Sequence, residues 1–262
     1  VSPDGRCICL LQRILEEACT AGIENIALIV RPGDEKVFSR LFEKVDQETF
    51  ARLPEFAQKE ELKLQEIGSK IDFIFQEEAK GFGHAIYCVR EWLAGAPFLL
   101  RLSDHIYFTY GKKSCAEHLL EQFCLNEQKS IVSLYPVHSK KVSSYGTVSG
   151  KFINDSTELL AINKFVEKPD YQYAKKELQL QAIPEDTFLC IYGQYVLNDE
   201  IFPILEKNIA ADFRQRGEIQ LSPVLAELAE AERLLGWVVN GEHYDTGQPL
   251  AYAKSFASFA EI

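Results

Sequence analysis

Short apolar runs alternate with amphipathic helical patterns along the first half of the chain, and no other feature limits the fold as strongly. Apolar residues at positions 10–18 follow helical spacing up to Gly22, and residues 26–30 then form an apolar run. Similar strand-like runs follow at residues 71–75, 98–102 and 130–137. The alternation predicts an α/β fold of the doubly wound, Rossmann-like kind, in which helices cover both faces of a mixed, mostly parallel sheet.

The second half of the chain also carries strand and helix patterns, but they no longer alternate one by one. Strand patterns occupy residues 145–148, 159–166, 188–197 and 235–239. Helical patterns occupy residues 198–205, 220–231 and 249–260. No linker separates the halves, so we predict that residues 1–262 form a single domain. A doubly wound fold places a strand before its first helix, and we expect that strand to be missing from this domain.

Charge and composition argue against several classes of partner. The net charge of −11 argues against a nucleic-acid surface, which would carry a basic patch. No apolar run approaches the ~18–20 residues of a membrane span. The seven cysteines, from Cys7 to Cys190, are scattered and mostly set in apolar patterns, as is typical of buried thiols in a reducing cytosol. These features predict a cytoplasmic protein that binds neither nucleic acid nor membranes.

Charged residues stand where three apolar or aromatic runs end. Asp104 follows the run at 98–102, Asp245 follows an aromatic residue, and Glu167 and Lys168 precede Pro169, which blocks further strand pairing. A carboxylate at the end of a buried strand is costly to desolvate unless it is paired or holds a cation. Open α/β sheets bind ligands at these strand ends. Together these residues suggest that a divalent metal, an anion and a polyhydroxyl ligand bind in one cleft. Taken singly, each aspartate also fits a helix cap or turn cap. The Glu-Lys pair also fits a solvated strand end.

Polar residues at the remaining turns are weaker signals. Gln76 precedes a turn with Gly81 and Gly83; its amide can read the edge of a base, but an ordinary strand-to-helix turn explains the same residues. Glu218 either caps a helix or reaches a ligand, and His105 is interpreted as structural. No G-x-G-x-x-G motif follows a strand, which disfavours a nicotinamide dehydrogenase.

In combination these phrases resemble the bacterial-type UTP–glucose-1-phosphate uridylyltransferases of the sugar-nucleotide pyrophosphorylase superfamily. The matching phrases lie at residues 11–12, 16–18, 21–23, 76, 81–85, 104, 145–146, 166–169, 193–197, 217–221, 245 and 247. The resemblance implies a nucleotide-diphospho-sugar transferase fold, with a nucleotide-binding half at residues 1–137 and a sugar-binding half at 138–262. It also implies that UTP and glucose 1-phosphate react to give UDP-glucose and pyrophosphate with Mg²⁺ as cofactor, in a protein that forms a homo-oligomer.

The resemblance further implies a role for each site residue. By this resemblance, uracil would be bound by Gln76 and Gly81, and Mg²⁺ by Asp104 and Asp245. Glucose would be bound by Gly146, Glu167 and Gly193, and the sugar phosphate by Lys168. Glu218 would lie on the sugar side or in the wall of the site. Lys168, Asp104 and Asp245 would be the catalytic residues.

Two departures from the family keep other functions open. The family begins with a strand and a glycine-rich loop carrying G-x-G-T-R, which we expect to be missing here, and Ser103 replaces the glycine or proline common before Asp104. Another sugar-1-phosphate nucleotidyltransferase, using dTTP, ATP or CTP, is one alternative. A non-catalytic sugar-nucleotide-binding or regulatory domain is the other.

Overall fold

The computed structural model describes residues 8–154, 156–247 and 249–259, so Cys7 and the end of the last predicted helix lie outside it. Its helices and strands are α1 (Leu10–Thr20), β1 (Ile26–Val30), α2 (Glu35–Ser39), α3 (Gln47–Arg52), α4 (Glu55–Gly68), β2 (Ile71–Phe75), α5 (Phe82–Cys88), α6 (Arg90–Leu93), β3 (Phe98–Arg101), β4 (His105–Thr109), α7 (Cys115–Leu125), β5 (Ser130–His138), β6 (Gly146–Phe152), β7 (Leu159–Glu167), α8 (Tyr171–Glu177), β8 (Thr187–Leu197), α9 (Ile201–Ala210), α10 (Ser222–Glu230), β9 (Leu234–Val238), β10 (Gly241–Asp245) and α11 (Pro249–Phe259). Short 3₁₀ turns cover Arg40–Phe42 and Ser139–Ser144.

Most of the predicted elements are confirmed. β1 and β2 have the predicted bounds, and the ends of most other strands lie within a few residues of the prediction. Two helices, α5 and α6, follow Gly81, and β4 and β10 were not predicted as separate strands. Within the described ranges, no helix combines the length and apolar character needed to cross a membrane.

The central sheet has six strands in the order β3-β8-β5-β9-β7-β6. β5 and β9 are parallel, whereas β8 and β7 run against their neighbours. Two smaller sheets flank it: β1 pairs with β2 in parallel, and β4 pairs with β10 in antiparallel orientation.

The predicted mixed sheet is confirmed, but its description as mostly parallel is wrong for the hydrogen-bonded pairs. Of the strand pairings described, two are parallel and six are antiparallel. β3, β5, β9 and β6 do share one direction, yet the reversed strands β8 and β7 lie between them. Apolar content predicts that a strand is buried and does not reveal its direction, so this interleaving is decided by the chain path.

Two apolar clusters pack on the opposite faces of the central sheet. The larger contains Val132 and Leu134 of β5 and buried residues of α5, α9 and α10. The other contains Ile131 of β5, buried residues of α7 and α8, and Trp237 of β9. Neighbouring residues of β5 thus face opposite layers, as strand geometry requires, and the sheet is covered on both sides as predicted.

A cavity lies between the β1–β2 sheet and β3. It has a volume of about 1020 Å³ and is lined by β1, β3 and one side of α1. β1 pairs with β2 and β3 pairs with β8, and no second neighbour is present for either among the described residues.

Candidate functional site

The pairing of β4 with β10 brings the two strand-end aspartates together. Asp104 directly precedes β4, Asp245 ends β10, and the register sets Asp245 opposite His105. The turn after β10 holds this arrangement: the backbone N–H and the hydroxyl of Thr246 both donate to the carbonyl oxygen of Asp104 at 2.8 Å. The Gly247 N–H donates to Oδ1 of Asp245 at 2.9 Å. Two carboxylates that are 141 positions apart in sequence therefore share one edge of the fold.

This edge offers a set of metal-ligand atoms. One ligand atom each from Asp104, His105 and Asp245 lies within 4.8 Å of the others. Nε2 of His105 is 3.5 Å from Oδ1 of Asp104. Carboxylate oxygens are the ligands that Mg²⁺ prefers, and all three residues are only partly buried, so a bound ion could keep water ligands. The donor set therefore fits a divalent cation.

An aromatic and histidine cluster lies behind His105. Its Nδ1 is 2.9 Å from Nε2 of His243, and the His243 ring lies 3.8 Å from that of Tyr192 between centroids. Burial lowers the pKa of His105, although the nearby Asp104 carboxylate opposes this shift. Burial, followed by the neighbouring His105, lowers the pKa of His243 to about 2. Both rings are therefore neutral near pH 7 in the metal-free protein.

Glu167 ends β7, and Lys168 directly follows it. Lys168 has a positive φ of 51°, and its N–H donates to the carbonyl oxygen of Tyr145 at 3.2 Å. Its Nζ is 3.8 Å from Oε1 of Glu167. The other oxygen of Glu167 accepts a hydrogen bond from the Ser222 hydroxyl at 2.9 Å. A cation and an oriented carboxylate thus lie side by side, as the recognition of a phosphate beside hydroxyl groups requires.

Two glycines stand where a larger side chain would collide with residues of the site. A Cβ on Gly146 would lie 2.6 Å from the Phe165 ring and 3.1 Å from Oε2 of Glu167. Gly193 has a φ of +55°, and a Cβ there would lie 2.8 Å from the Cβ of His105. Larger residues would displace the side chains that line the site, so both glycines allow the backbone to approach a ligand closely.

A cavity of about 330 Å³ brings these residues together. Its lining includes six residues predicted from the sequence: Asp104, Gly146, Glu167, Lys168, Gly193 and Asp245. It also includes four residues that the sequence analysis did not assign to the site: His105, Tyr145, Ser222 and Gly247. The adjacent Asp-His pair was the available signal for His105. Nothing local marked Ser222, because its contact with Glu167 spans 55 positions.

The predicted base-binding residues lie beside a different part of the molecule. Gln76 borders the cavity near β1, and Phe82 lines both cavities. Nε2 of Gln76 donates to the Gly81 carbonyl oxygen at 3.1 Å and is 3.0 Å from Nδ1 of His84, so this imidazole nitrogen acts as the acceptor. The structure therefore holds Gln76 against the glycine turn, outside the lining of the smaller cavity.

Glu218 lies beside the same glycine turn. A Cβ on Gly81 would lie 2.7 Å from the Cβ of Glu218, and the Gly83 N–H donates to the Ile219 carbonyl oxygen at 2.8 Å. The Glu218 carboxylate accepts a hydrogen bond from the Gln220 side chain at 2.8 Å. Glu218 thus packs against the glycine turn and does not line the smaller cavity. No geometry here tests the ligand roles of the predicted residues, which stay predictions.

Comparisons with known proteins agree with the fold. The family pattern described as nucleotidyl transferase matches residues 3–261. The chain is 29% identical over 253 residues to UTP–glucose-1-phosphate uridylyltransferase 1 of Staphylococcus saprophyticus, with 95% of this chain and 81% of that protein covered. It is 28% identical to the UTP–glucose-1-phosphate uridylyltransferase of Bacillus subtilis, with 95% and 80% covered.

Solved structures share the fold. An apo UDP-glucose pyrophosphorylase superposes with a TM-score of 0.79 at 24% identity, over 96% of this chain and 86% of that one. A UDP-glucose pyrophosphorylase in complex with UDP-glucose gives a TM-score of 0.76 at the same identity and coverage. The family match over nearly the whole chain confirms the resemblance recognised in the sequence, and the chain belongs to the nucleotidyl transferase family.

Proposed function

We propose that this chain transfers a uridylyl group from UTP to glucose 1-phosphate, forming UDP-glucose and pyrophosphate with Mg²⁺ as cofactor. One observation carries the proposal: a single cavity of about 330 Å³ joins a carboxylate pair, a lysine beside a glutamate, and glycines close to both. The named activity of the relatives supports the choice of base and sugar. We assign the nucleotide to residues 1–137 and the sugar to residues 138–262.

The sugar side of the site is assigned to β6, β7 and β8. Glu167, whose Oε2 is held by Ser222, accepts hydrogen bonds from sugar hydroxyls through its carboxylate. Gly146 and Gly193 leave space for the ring close to the backbone. Lys168 binds the phosphate of glucose 1-phosphate as a point charge.

The reaction needs no protein nucleophile. An oxygen of the sugar phosphate attacks the α-phosphorus of UTP in line with the departing pyrophosphate, and the residues contribute by positioning and by neutralising charge. Asp104 and Asp245 hold Mg²⁺, which supplies a Lewis acid and a template when it is bound. Lys168 keeps the attacking phosphate oriented and reduces its repulsion from the triphosphate.

The base is assigned to the glycine turn beside Gln76. Nε2 of Gln76 already contacts Gly81 and His84, so its Oε1 is the atom proposed to accept the N3–H of uracil. Gly81 allows the backbone to approach the ring, and Glu218 forms the neighbouring wall. A cytoplasmic location and a homo-oligomeric state complete the proposal; cell fractionation and gel filtration test them.

A calorimetric titration with UDP-glucose, with and without Mg²⁺, tests the proposed site, using ADP-glucose and dTDP-glucose as controls. We expect selective binding of UDP-glucose that Mg²⁺ strengthens. Pyrophosphate release from UTP, dTTP, ATP or CTP with glucose 1-phosphate then tests turnover. Preferred turnover of another nucleotide would replace the uridylyl assignment, and Mg²⁺-strengthened binding with no turnover would favour a non-catalytic binding domain.

A pair of lysine variants tests the phosphate assignment. Lys168→Met should lower kcat/KM by about 100-fold, a loss comparable to removal of one charge-stabilising group. Lys176→Met is the matched control, because this side chain is 82% exposed and lies on α8 outside the cavity. Equal activity of the two variants would refute the role of Lys168.

A further inference from the structure

His105 lies beside both aspartates. The β4–β10 register sets it opposite Asp245, and the chain sets it next to Asp104. Its Nδ1 is 2.9 Å from Nε2 of His243, a separation that one shared proton bridges. When Nδ1 of His105 donates that proton, its Nε2 keeps a lone pair, and Nε2 is the atom that lies 3.5 Å from Asp104.

We propose that Nε2 of His105 is a third protein ligand of the divalent cation held by Asp104 and Asp245, and that His243 is the positioning residue that fixes its tautomer. The site then binds first-row transition ions such as Mn²⁺ and Co²⁺ in preference to Mg²⁺. This inference deepens the proposed function, because it rests on the cation site that the function requires.

The distances fit a shared ion better than a direct contact. Ligand atoms at about 2.1 Å from one ion are separated by about 3 Å when adjacent and about 4.2 Å when opposite. The three donor atoms lie within 4.8 Å of one another, so small side-chain rotations bring them into that range. The 3.5 Å contact between His105 and Asp104 exceeds the ~2.7–2.9 Å of a charge-assisted hydrogen bond.

The nitrogen donor decides which ion is preferred. Mg²⁺ selects oxygen ligands, whereas imidazole binds transition ions more tightly than it binds Mg²⁺. Metal-bound histidines commonly donate their other ring N–H to a second group, which sets the orientation of the ring. Nε2 of His243 occupies that position here.

Pulsed electron paramagnetic resonance on Mn²⁺ tests the ligand without nucleotide and without turnover. We expect the spin-echo modulation to show ¹⁴N coupling from a directly bound imidazole in the full chain. The coupling should disappear in His105→Phe and in His105→Asn, the second variant serving if the first does not fold. His118→Asn is the matched control, because His118 stacks on Trp237 and lies outside the cavity lining.

Calorimetry with Co²⁺ and Mg²⁺ tests the preference and the role of His243. His105→Phe should weaken Co²⁺ binding at least about tenfold while changing Mg²⁺ binding less than about threefold. His243→Phe should weaken Co²⁺ binding by about 10-fold, and His243→Gln, whose amide oxygen can accept the same proton, should restore it. If His243 were only structural, His243→Phe and His243→Gln would bind Co²⁺ with the same affinity, and the positioning role would be refuted.

The outcomes separate this inference from the proposed function. Metal binding that is lost in Asp245→Ala but shows no ¹⁴N coupling in the unaltered protein overturns the ligand role of His105 and leaves the cation site standing. Metal binding that is unchanged in Asp245→Ala overturns the cation site, and with it both proposals. Coupling that is lost in His105→Phe and retained in His118→Asn supports the inference.

Discussion

Replacement of Glu17 tests whether a buried ion pair holds α1 against the central sheet. Oε2 of Glu17 in α1 is 2.9 Å from Nη1 of Arg101 at the end of β3, and the side chains are 3% and 7% exposed. Oε1 of Glu17 also accepts from the backbone N–H of Ala116 at 3.3 Å and from Nε2 of Gln194 at 3.4 Å. None of the three guanidinium nitrogens of Arg101 has a hydrogen-bond partner among the described residues, so the ion pair with this carboxylate is what compensates its charge.

Glu17→Gln removes the charge and keeps an acceptor for Ala116 and Gln194. The buried guanidinium of Arg101 is then left without an anion, which costs about 3–5 kcal/mol of unfolding free energy at sites with so little solvent. Replacement of both partners removes the buried charge, so Glu17→Gln with Arg101→Met should recover at least about 2 kcal/mol of that loss. Arg101→Met alone should cost less than Glu17→Gln, because the carboxylate that it leaves without a cation keeps its hydrogen bonds from Ala116 and Gln194.

Urea unfolding followed by circular dichroism measures these changes in all four proteins of the cycle. The matched control is Glu121→Gln, which removes one partner of the exposed Lys113–Glu121 pair and should cost no more than about 1 kcal/mol. A cost for Glu17→Gln equal to that of Glu121→Gln would refute the reasoning. So would a double variant whose loss equals the sum of the two single losses.

Three further perturbations follow from the geometry. Gly83→Ala should lower the unfolding free energy by about 1–3 kcal/mol in thermal or urea unfolding, because its Cβ would lie 2.7 Å from the Gln220 carbonyl oxygen; an unchanged midpoint would contradict this. Gly247→Ala should weaken Co²⁺ binding in calorimetry with little change in stability, because its Cβ would lie 2.7 Å from Oδ2 of Asp104. His243 titrates at 6.5 when unfolded and at about 2 when folded, so the unfolded state binds more protons between these values and stability falls as the pH drops below 6.5. Urea unfolding in EDTA at pH 6.5 and 5.5 should therefore show a loss that is about 1 kcal/mol larger in the unaltered protein than in His243→Phe, in which His105 still contributes; equal losses in both proteins would contradict it.

The elements that could be predicted are those whose own residues carry a strong pattern. β1 and β2 begin and end at the predicted residues, because each is a short, mainly apolar run bounded by polar residues. α1 follows its apolar spacing, and Ser114 caps α7 through a capping box with Glu117. The strand ends that carry Asp104 and Glu167 were likewise visible, because charged residues interrupt apolar runs there.

The elements that could not be predicted depend on pairing between distant segments. β10 mixes a glycine, a histidine and a tyrosine with charged residues, β4 is only five residues long, and the two strands pair with each other across more than 130 positions. The insertion of β8 and β7 between strands of the opposite direction has the same origin. Gln76 and Glu218 lie outside the lining of the cavity that holds Asp104 and Lys168, and their proposed roles stay predictions.

The sequence by itself determined the α/β class, most helices and strands, and the acidic and basic residues able to carry phosphoryl-group chemistry, since these depend on local periodicity and residue type. The tertiary structure alone decided that Asp104, His105 and Asp245 meet, that His243 lies behind the imidazole, and that Ser222 orients Glu167. Each of these contacts is made between segments far apart in the chain. The physical reason is that strand register and turn geometry set distances between such segments, whereas residue order constrains only near neighbours.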